Sequence, residues 1–172
     1  MAFLTPLTLA MVKQAEKRVG VTFDYVRKIA QTDFGLLLRY NKVFGFLDPR
    51  KHLPAKAYHA ARLRGALAAD CGTCVEAEIN LALQAGLSKT LVKAILNSTA
   101  DGPLGAVIAL TDAVVGGKQD APDARADVLK AYGEAGLIEL SFAMNGAALL
   151  PGVKRAMGYA TTCNLSMMKA LS

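Results

Sequence analysis

The stretch that decides the fold is RLRGALAADCGTCVEAEINLALQAGLS, residues 62–88. It consists of two helix-favouring segments that are separated by Ala69 and Asp70, and the second segment ends at Gly86. Alanine and leucine favour helices, aspartate often caps the start of a helix, and glycine often follows the end of one. We therefore predict two consecutive helices that fold back as an antiparallel pair, with Asp70 as the N-cap of the second helix.

Helical patterns extend over nearly the whole chain, and no segment shows a sustained alternation of apolar and polar residues that would predict a sheet. Glycines and prolines separate the apolar segments, and Pro151 is predicted to open a last helix towards Leu171. The sequence predicts an all-α fold in a single domain over residues 1–172. The other predicted helices cover residues 8–19, 23–40, 91–100, 105–115, 123–135 and 137–150.

The composition restricts the class of protein. Hydrophobic residues make up 53% of the 172 residues and charged residues 20%, which excludes a disordered chain and a fibre. The net charge of +6 comes from scattered basic residues without interleaved aromatic residues, so a nucleic-acid partner is not predicted. No apolar run is long enough to cross a bilayer, and no basic segment precedes the apolar N-terminus. We therefore predict a cytoplasmic protein without a membrane partner.

Two cysteines two residues apart indicate thiol chemistry. Cys71, Cys74 and Glu78 share one face of the second helix of the pair, because residues three or four apart lie one turn apart. The start of a helix favours a thiolate, since its backbone N–H groups and its dipole attract negative charge. The third cysteine, Cys163, lies in a late apolar segment and is interpreted as a packing residue or a regulatory thiol.

His59 is the second part of the predicted site. If the chain folds back at Ala69 and Asp70, His59 lies beside Glu78 and about one turn from Cys74. A dithiol centre needs a base that forms the thiolate and an acid that protonates the leaving group. Histidine exchanges a proton near neutral pH, and Glu78 could orient it or act itself.

Two other interpretations of these residues stay open. The cysteines could be packing residues, since free cysteine behaves as a small hydrophobic side chain. Alternatively, His59, Cys71, Cys74 and Glu78 could bind zinc, although structural zinc prefers more sulfur or imidazole ligands. The second interpretation describes a non-enzymatic or metal-binding helical oligomer, whereas the redox interpretation requires neither a metal nor a cofactor.

The spacing of the site resembles that of the AhpD-like alkylhydroperoxidases in the carboxymuconolactone decarboxylase superfamily. Their pattern is Glu-x11-Cys-x2-Cys-x3-His, and this chain has His59-x11-Cys71-x2-Cys74-x3-Glu78, so every interval matches with glutamate and histidine exchanged. Residues 62–88 resemble the helix–turn–helix core of that family, and LTDAVV and VLKAYGEAGLIELSFAMNGAALL resemble its next pair of helices. The resemblance covers about residues 54–150.

The resemblance implies an all-helical homo-oligomer, a trimer or a hexamer, that acts in antioxidant defence. Its dithiol would reduce a peroxide or exchange with a partner disulfide, and an external dithiol would reset it. Carried over by position, Cys74 would be the attacking sulfur and Cys71 the resolving one. His59 and Glu78 would form the proton relay with their identities exchanged.

Overall fold

The computed structural model describes residues 4–47 and 50–161. These residues form eight α-helices and one π-helical segment, and no strand occurs among them. The all-α prediction is therefore confirmed. The helices are α1 (Leu4–Val19), α2 (Asp24–Thr32), α3 (Phe34–Leu47), α4 (Ala55–Ala68), α5 (Gly72–Gln84), α6 (Lys89–Leu96), α7 (Gly102–Thr111), which continues into the π-helical Asp112–Gly116, and α8 (Pro122–Ala156).

Most of the predicted helix ends are where local chemistry requires them. Gly20 and Gly86 have φ angles of 80° and 91°, a left-handed conformation that glycine adopts without steric cost. The Ser88 hydroxyl accepts a hydrogen bond from the Leu91 N–H at 3.2 Å and so caps α6. Pro103 lies in the first turn of α7, where its missing N–H has no consequence.

Several predicted helix boundaries are wrong, and the helix predicted over residues 91–100 is Lys89–Leu96. Residues 23–40 form two helices rather than one, because Asp33 is extended and its carboxylate accepts a hydrogen bond from the Leu36 N–H at the start of α3. Pro151 lies inside α8 rather than at the start of a new helix, and the break in α8 falls at Gly133, with φ 70° and ψ 178°. Pro151 removes one hydrogen bond from the interior of α8, which continues to Ala156 and is followed by Gly158 with a left-handed φ of 79°.

The main core surrounds α4, which packs against α5, α7 and α8. At Gly65 the backbone of α4 approaches α8 so closely that an added Cβ would lie 2.3 Å from the Met144 carbonyl oxygen. The side chains that are completely buried in this core include Leu63, Val75, Val107 and Leu140. Core packing therefore holds α4, the helix that carries His59, on several sides.

The three N-terminal helices form a second, smaller apolar cluster around Val12, Val26 and Leu37. Two side chains of α5 connect it to the rest of the chain. Asn80 donates a hydrogen bond from Nδ2 to the Val19 carbonyl at 2.9 Å, and Gln84 donates one from Nε2 to the Arg18 carbonyl at 2.7 Å. The end of α1 is thereby placed beside the helix that begins at the cysteines.

One helix among the described residues, α8, is long and apolar enough to cross a membrane by length and composition. In its most apolar stretch, 44% of the residues are buried inside the protein. The core helix of a globular protein has the same length and composition, and α8 packs against both α4 and α7. The statement that no apolar run is long enough to cross a bilayer is therefore wrong for α8 by length and composition, and the prediction that the chain has no membrane partner stays a prediction.

Candidate active site

The two cysteines lie where α4 turns into α5. Asp70 adopts a left-handed φ of 47° in this turn, and Cys71, rather than Asp70, is the N-cap of α5. The Cys71 carbonyl accepts hydrogen bonds from the N–H groups of Cys74 and Val75, each at 2.9 Å. The predicted N-cap at Asp70 is therefore wrong by one residue, because the aspartate is needed for the turn itself. Cys71 is completely buried, whereas Cys74 is half-buried.

Residues from the far end of the chain hold this turn in place. The guanidinium of Arg155, near the end of α8, donates to the carbonyls of Ala69 and Asp70 at 2.8 and 2.6 Å. The Gly72 N–H donates to the Thr161 carbonyl at 3.0 Å. The sequence suggested that the first N–H of α5 would be free. It is instead bonded to the segment after α8.

The two thiols share one proton. The Cys74 thiol donates a hydrogen bond to the Cys71 sulfur, and this bond, with support from the backbone N–H groups of Cys74 and Thr161, lowers the pKa of Cys71 to about 6 despite burial. The same bond, burial and the charge of the Cys71 thiolate raise the pKa of Cys74. One thiolate therefore forms readily in this pair and a second does not.

Cys74 faces a cavity of about 100 Å³ between α5 and the end of α8. The walls are mostly apolar, and charged groups enter from three helices: Arg62 from α4, Glu78 from α5 and Lys154 from α8. Such a combination of apolar walls and a few polar groups is typical of sites for small molecules. The cavity gives Cys74, and not the buried Cys71, access to a reactant.

Arg62 holds Glu78 with two hydrogen bonds. Its Nε and Nη2 donate to the two carboxylate oxygens at 2.9 and 2.7 Å, and both side chains are buried. Arg62 also donates from Nη1 to the Tyr58 hydroxyl at 3.4 Å. A planar guanidinium matches a carboxylate in this way better than any other cation, and it stays charged when buried.

His59 is buried and makes no hydrogen bond to Glu78. It is 8% exposed, and its Nδ1 has no hydrogen-bond partner among the described residues. Burial lowers the pKa of His59 to about 4, even though the negative charge of Glu78 acts in the opposite direction. The expectation that Glu78 supports His59 directly is therefore corrected. Arg62 binds both oxygens of the Glu78 carboxylate, so Glu78 acts on His59 through its charge alone.

The structure brings Cys74 and Glu78 into the lining of one cavity with Cys71 next to Cys74, and His59 does not line that cavity. Electrostatic effects connect these residues: Glu78 acts on Cys74, and it also acts on His59. In the described part of the chain, no three His, Cys, Asp or Glu side chains are arranged to hold a metal ion. The four predicted residues thus do not form the zinc site considered as an alternative. Cys163 lies outside the described residues.

The sequence analysis did not find Arg62, Tyr58, Tyr25 or Lys154 as site residues. Lys154 is 5% exposed, and its Nζ lies 5.8 Å from the centre of the Tyr25 ring. The one signal available for Arg62 was a charged residue within the alanine-rich, apolar face of a core helix. Lys154 gave no signal, because only the fold brings the end of α8 to the start of α5.

A larger apolar cavity of about 500 Å³ lies among the N-terminal helices. Val19 and Phe23 line this cavity and also the cavity beside Cys74, so the two are neighbours. Tyr25 and Tyr40, whose hydroxyls are hydrogen-bonded to each other, also stand one in each lining. Burial raises the pKa of Tyr25 to about 12, so this pair is neutral beside the thiols.

No family model, no curated protein and no solved structure matches the chain.

Proposed function

We propose that this chain is a thiol-dependent oxidoreductase of the AhpD-like type, which reduces a peroxide or a partner disulfide through Cys71 and Cys74. One observation carries the proposal. Two neighbouring thiols lie at the start of a helix, one fully buried and the other facing a cavity. This is the arrangement that a dithiol cycle needs, because the attacking sulfur must be accessible and the resolving sulfur must be adjacent to it.

In the first half of the proposed cycle, the shared proton moves from Cys74 to Cys71, and the charge moves to the sulfur that faces the cavity. The Cys74 thiolate attacks an oxygen of the peroxide, the O–O bond breaks, and the product alkoxide takes one proton and leaves as the alcohol. Cys74 is thereby oxidised to a sulfenic acid.

In the second half, the Cys71 sulfur attacks the Cys74 sulfur. The hydroxyl leaves as water with the proton of the Cys71 thiol, and the disulfide closes. An external dithiol then supplies two electrons and is itself oxidised to a disulfide. A partner disulfide would enter at the first step instead, with a mixed disulfide at Cys74 in place of the sulfenic acid.

We assign the delivery of the alkoxide proton to Glu78 and His59. Glu78 lines the cavity with Cys74, and His59 is buried on the neighbouring helix. Because Arg62 neutralises Glu78, the carboxylate can stand near a thiolate at a lower electrostatic cost. Buried His59 is neutral near pH 7 and both oxygens of Glu78 are bonded to Arg62, so the proton itself would come from solvent, and the two residues would only pass it on to the cavity.

The proposal includes self-association and a cytoplasmic, antioxidant role, as expected from the resemblance. Large apolar side chains are exposed on α1 and α3, including Leu7, Met11, Leu36 and Leu38. A cluster of exposed apolar residues of this kind is typical of a surface that another subunit covers. Light scattering on the purified chain would show a trimer or a hexamer if the expectation holds and a monomer if it does not.

Turnover of a hydroperoxide with dithiothreitol or dihydrolipoamide as the reductant tests the proposed activity. Cys74→Ser should abolish turnover, Cys71→Ser should stop the cycle after one oxidation at Cys74, and Cys163→Ser should leave turnover unchanged. The same three variants with a small disulfide in place of the peroxide test the second substrate class. If the Cys74→Ser variant turns over either oxidant like the unmodified chain, the proposal is wrong and a non-enzymatic role is favoured.

A further inference from the structure

We propose that Lys154 is the thiolate-stabilising residue of this site: its buried ammonium faces the cavity that contains Cys74 and supplies the positive charge that compensates the thiolate. The inference rests on the proposed redox role of the two cysteines. It adds a residue that comes from α8, far from the cysteines in sequence, and gives it a function in setting how oxidising the disulfide is.

The burial of Lys154 requires an explanation. An ammonium that is 5% exposed has lost most of its hydration, which costs several kcal/mol unless a nearby group compensates it. No carboxylate of the described residues forms an ion pair with Lys154. The face of the Tyr25 ring, 5.8 Å from Nζ, compensates part of the charge, as aromatic rings do for cations.

The charges around the cavity leave the thiolate as the counter-ion of Lys154. Glu78, the carboxylate in the cavity lining, has both oxygens bonded to Arg62. The positive charge of Lys154 favours the thiolate form of both Cys71 and Cys74. Lys154 and the Cys74 thiol line one cavity, and an ammonium and a thiolate match each other in charge.

The fold keeps Lys154 at this place. Arg155, its neighbour in sequence, donates to the carbonyls of Ala69 and Asp70, the two residues directly before Cys71. The end of α8 is thus fastened to the turn that carries the cysteines. These two hydrogen bonds from the Arg155 side chain hold the end of α8, and with it Lys154, beside that turn.

The groups that face the thiols from the neighbouring helices leave Lys154 as the uncompensated charge. Tyr25 from α2 and Tyr40 from α3 are hydrogen-bonded to each other, and burial raises the pKa of both phenols, so they stay neutral. Arg62 from α4 and Glu78 from α5 neutralise each other.

Stabilisation of the thiolate makes the disulfide a stronger oxidant. The reduced pair carries a negative charge near neutral pH and the disulfide carries none, so a nearby cation lowers the free energy of the reduced form alone. Removal of Lys154 should therefore raise the pH at which the thiolate forms and should lower the reduction potential of the Cys71–Cys74 couple.

The test uses the full-length protein and measures thiol properties rather than turnover. Alkylation of Cys74 by iodoacetamide is followed against pH by mass spectrometry in Lys154→Met, Lys154→Gln and Lys154→Arg. Lys130→Met, which removes an exposed lysine from the same helix, is the matched control. Equilibration of each variant with mixtures of reduced and oxidised dithiothreitol gives the reduction potential.

We expect Lys154→Met and Lys154→Gln to raise the midpoint of alkylation by about one to two pH units and to lower the reduction potential. Lys154→Arg should keep most of both properties, and Lys130→Met should keep them fully. Far-UV circular dichroism shows which variants fold, and the glutamine variant decides if the methionine variant does not fold. Equal midpoints in the unmodified chain and in the folded neutral variants would overturn the inference.

The outcome separates this inference from the proposed function. If the unmodified chain alkylates with the midpoint of an ordinary cysteine, about pH 8.5, neither the thiolate nor its stabilisation by Lys154 exists. If the midpoint is low and independent of Lys154, only the inference fails. If it is low and depends on Lys154 but no peroxide or disulfide is turned over, the inference stands and the proposed activity fails.

Discussion

Arg62 and Glu78, which are sixteen residues apart in sequence, form a bidentate ion pair with N–O distances of 2.9 and 2.7 Å between two buried side chains. The pair joins α4 to α5 beside Cys74, and it occupies the carboxylate that the sequence analysis assigned to His59. Its role in stability and in placing the cavity wall can be measured.

Arg62→Met should destabilise the fold by about 3–5 kcal/mol, because it leaves the buried carboxylate of Glu78 without its counter-ion. The double variant Arg62→Met/Glu78→Leu should recover a large part of this loss, since both charges are then removed. Urea unfolding measures the free energies. Arg125→Ala, which breaks the exposed pair of Arg125 with Asp120, is the control and should cost less than about 1 kcal/mol. Similar losses of stability in Arg62→Met and in Arg125→Ala would contradict a structural role of the buried pair.

His59 should make the fold less stable in acid. Its pKa is about 4 in the folded chain, because burial disfavours the charged form, and about 6.5 when unfolded. The unfolded chain therefore takes up a proton first as the pH falls, so this contribution to stability is complete above pH 6.5 and is lost between about pH 6.5 and 4. The total loss is about 3 kcal/mol.

Titration of the histidine resonances by NMR measures this pKa directly. The chain has two histidines, and the His52→Gln variant keeps only His59, which assigns its resonance. Urea unfolding at several pH values should show a steeper acid loss in the unmodified chain than in His59→Gln. A His59 that titrates near pH 6.5 would show that the side chain is solvated and would remove it from the buried relay.

Glu139 should stabilise the segment that leads into α4. Its carboxylate accepts hydrogen bonds from the N–H groups of Lys51, His52 and Leu53 at 2.8, 2.8 and 3.3 Å. Although burial by itself raises the pKa of Glu139, these three bonds lower it overall, so its stabilisation is present above the ordinary glutamate pKa and is lost as the pH falls through the lowered value.

Glu139→Gln should cost about 1–3 kcal/mol at neutral pH, because an amide offers one oxygen where the carboxylate offers two. The loss should shrink when the same urea unfolding is repeated below the pKa of glutamate. A loss that is independent of pH would show that the charge of Glu139 does not matter and that only the number of its acceptor oxygens does.

Gly65 and Gly152 form a matched pair for the packing of α4 against α8. A Cβ at Gly65 would lie 2.3 Å from the backbone oxygen of Met144, whereas a Cβ at Gly152 meets nothing within 4 Å. Gly65→Ala should destabilise the fold by about 1–3 kcal/mol through overpacking, and Gly152→Ala should stabilise it by up to about 1 kcal/mol. Thermal unfolding distinguishes the two directions, and equal effects would contradict the close approach at Gly65.

The local part of this structure could be predicted from the sequence, and the long-range part could not. Gly86 acts within one turn of its own position, and the helix end that it predicts is where it was expected. The helices predicted over residues 8–19 and 105–115 likewise end within one residue of the predicted positions. The missed break at Asp33 depends on a side chain that prefers to cap α3 over continuing α2. The local sequence did carry a signal there, because Thr32, Asp33 and Gly35 favour a helix end or cap over a helix interior.

The candidate site also has a local part that could be predicted from the sequence and a long-range part that could not. The spacing of Cys71, Cys74 and Glu78 along one helix determines which side chains share a face, so their proximity could be predicted. The partner of Glu78 could not, because α4 presents both His59 and Arg62 near α5, and only the fold decides which of them reaches the carboxylate. Desolvation favoured the guanidinium, which stays charged when buried, over the imidazole, which becomes neutral.

Quantitative mass spectrometry of the Cys71–Cys74 peptide, after the reduced chain has reacted with increasing amounts of a hydroperoxide, tests the central claim most directly. The account predicts one intramolecular disulfide between Cys71 and Cys74 for each hydroperoxide consumed, full reversal by dithiothreitol, and no change at Cys163. A dithiol that stays reduced, or that accumulates irreversible sulfinic and sulfonic acids without forming the disulfide, would contradict it.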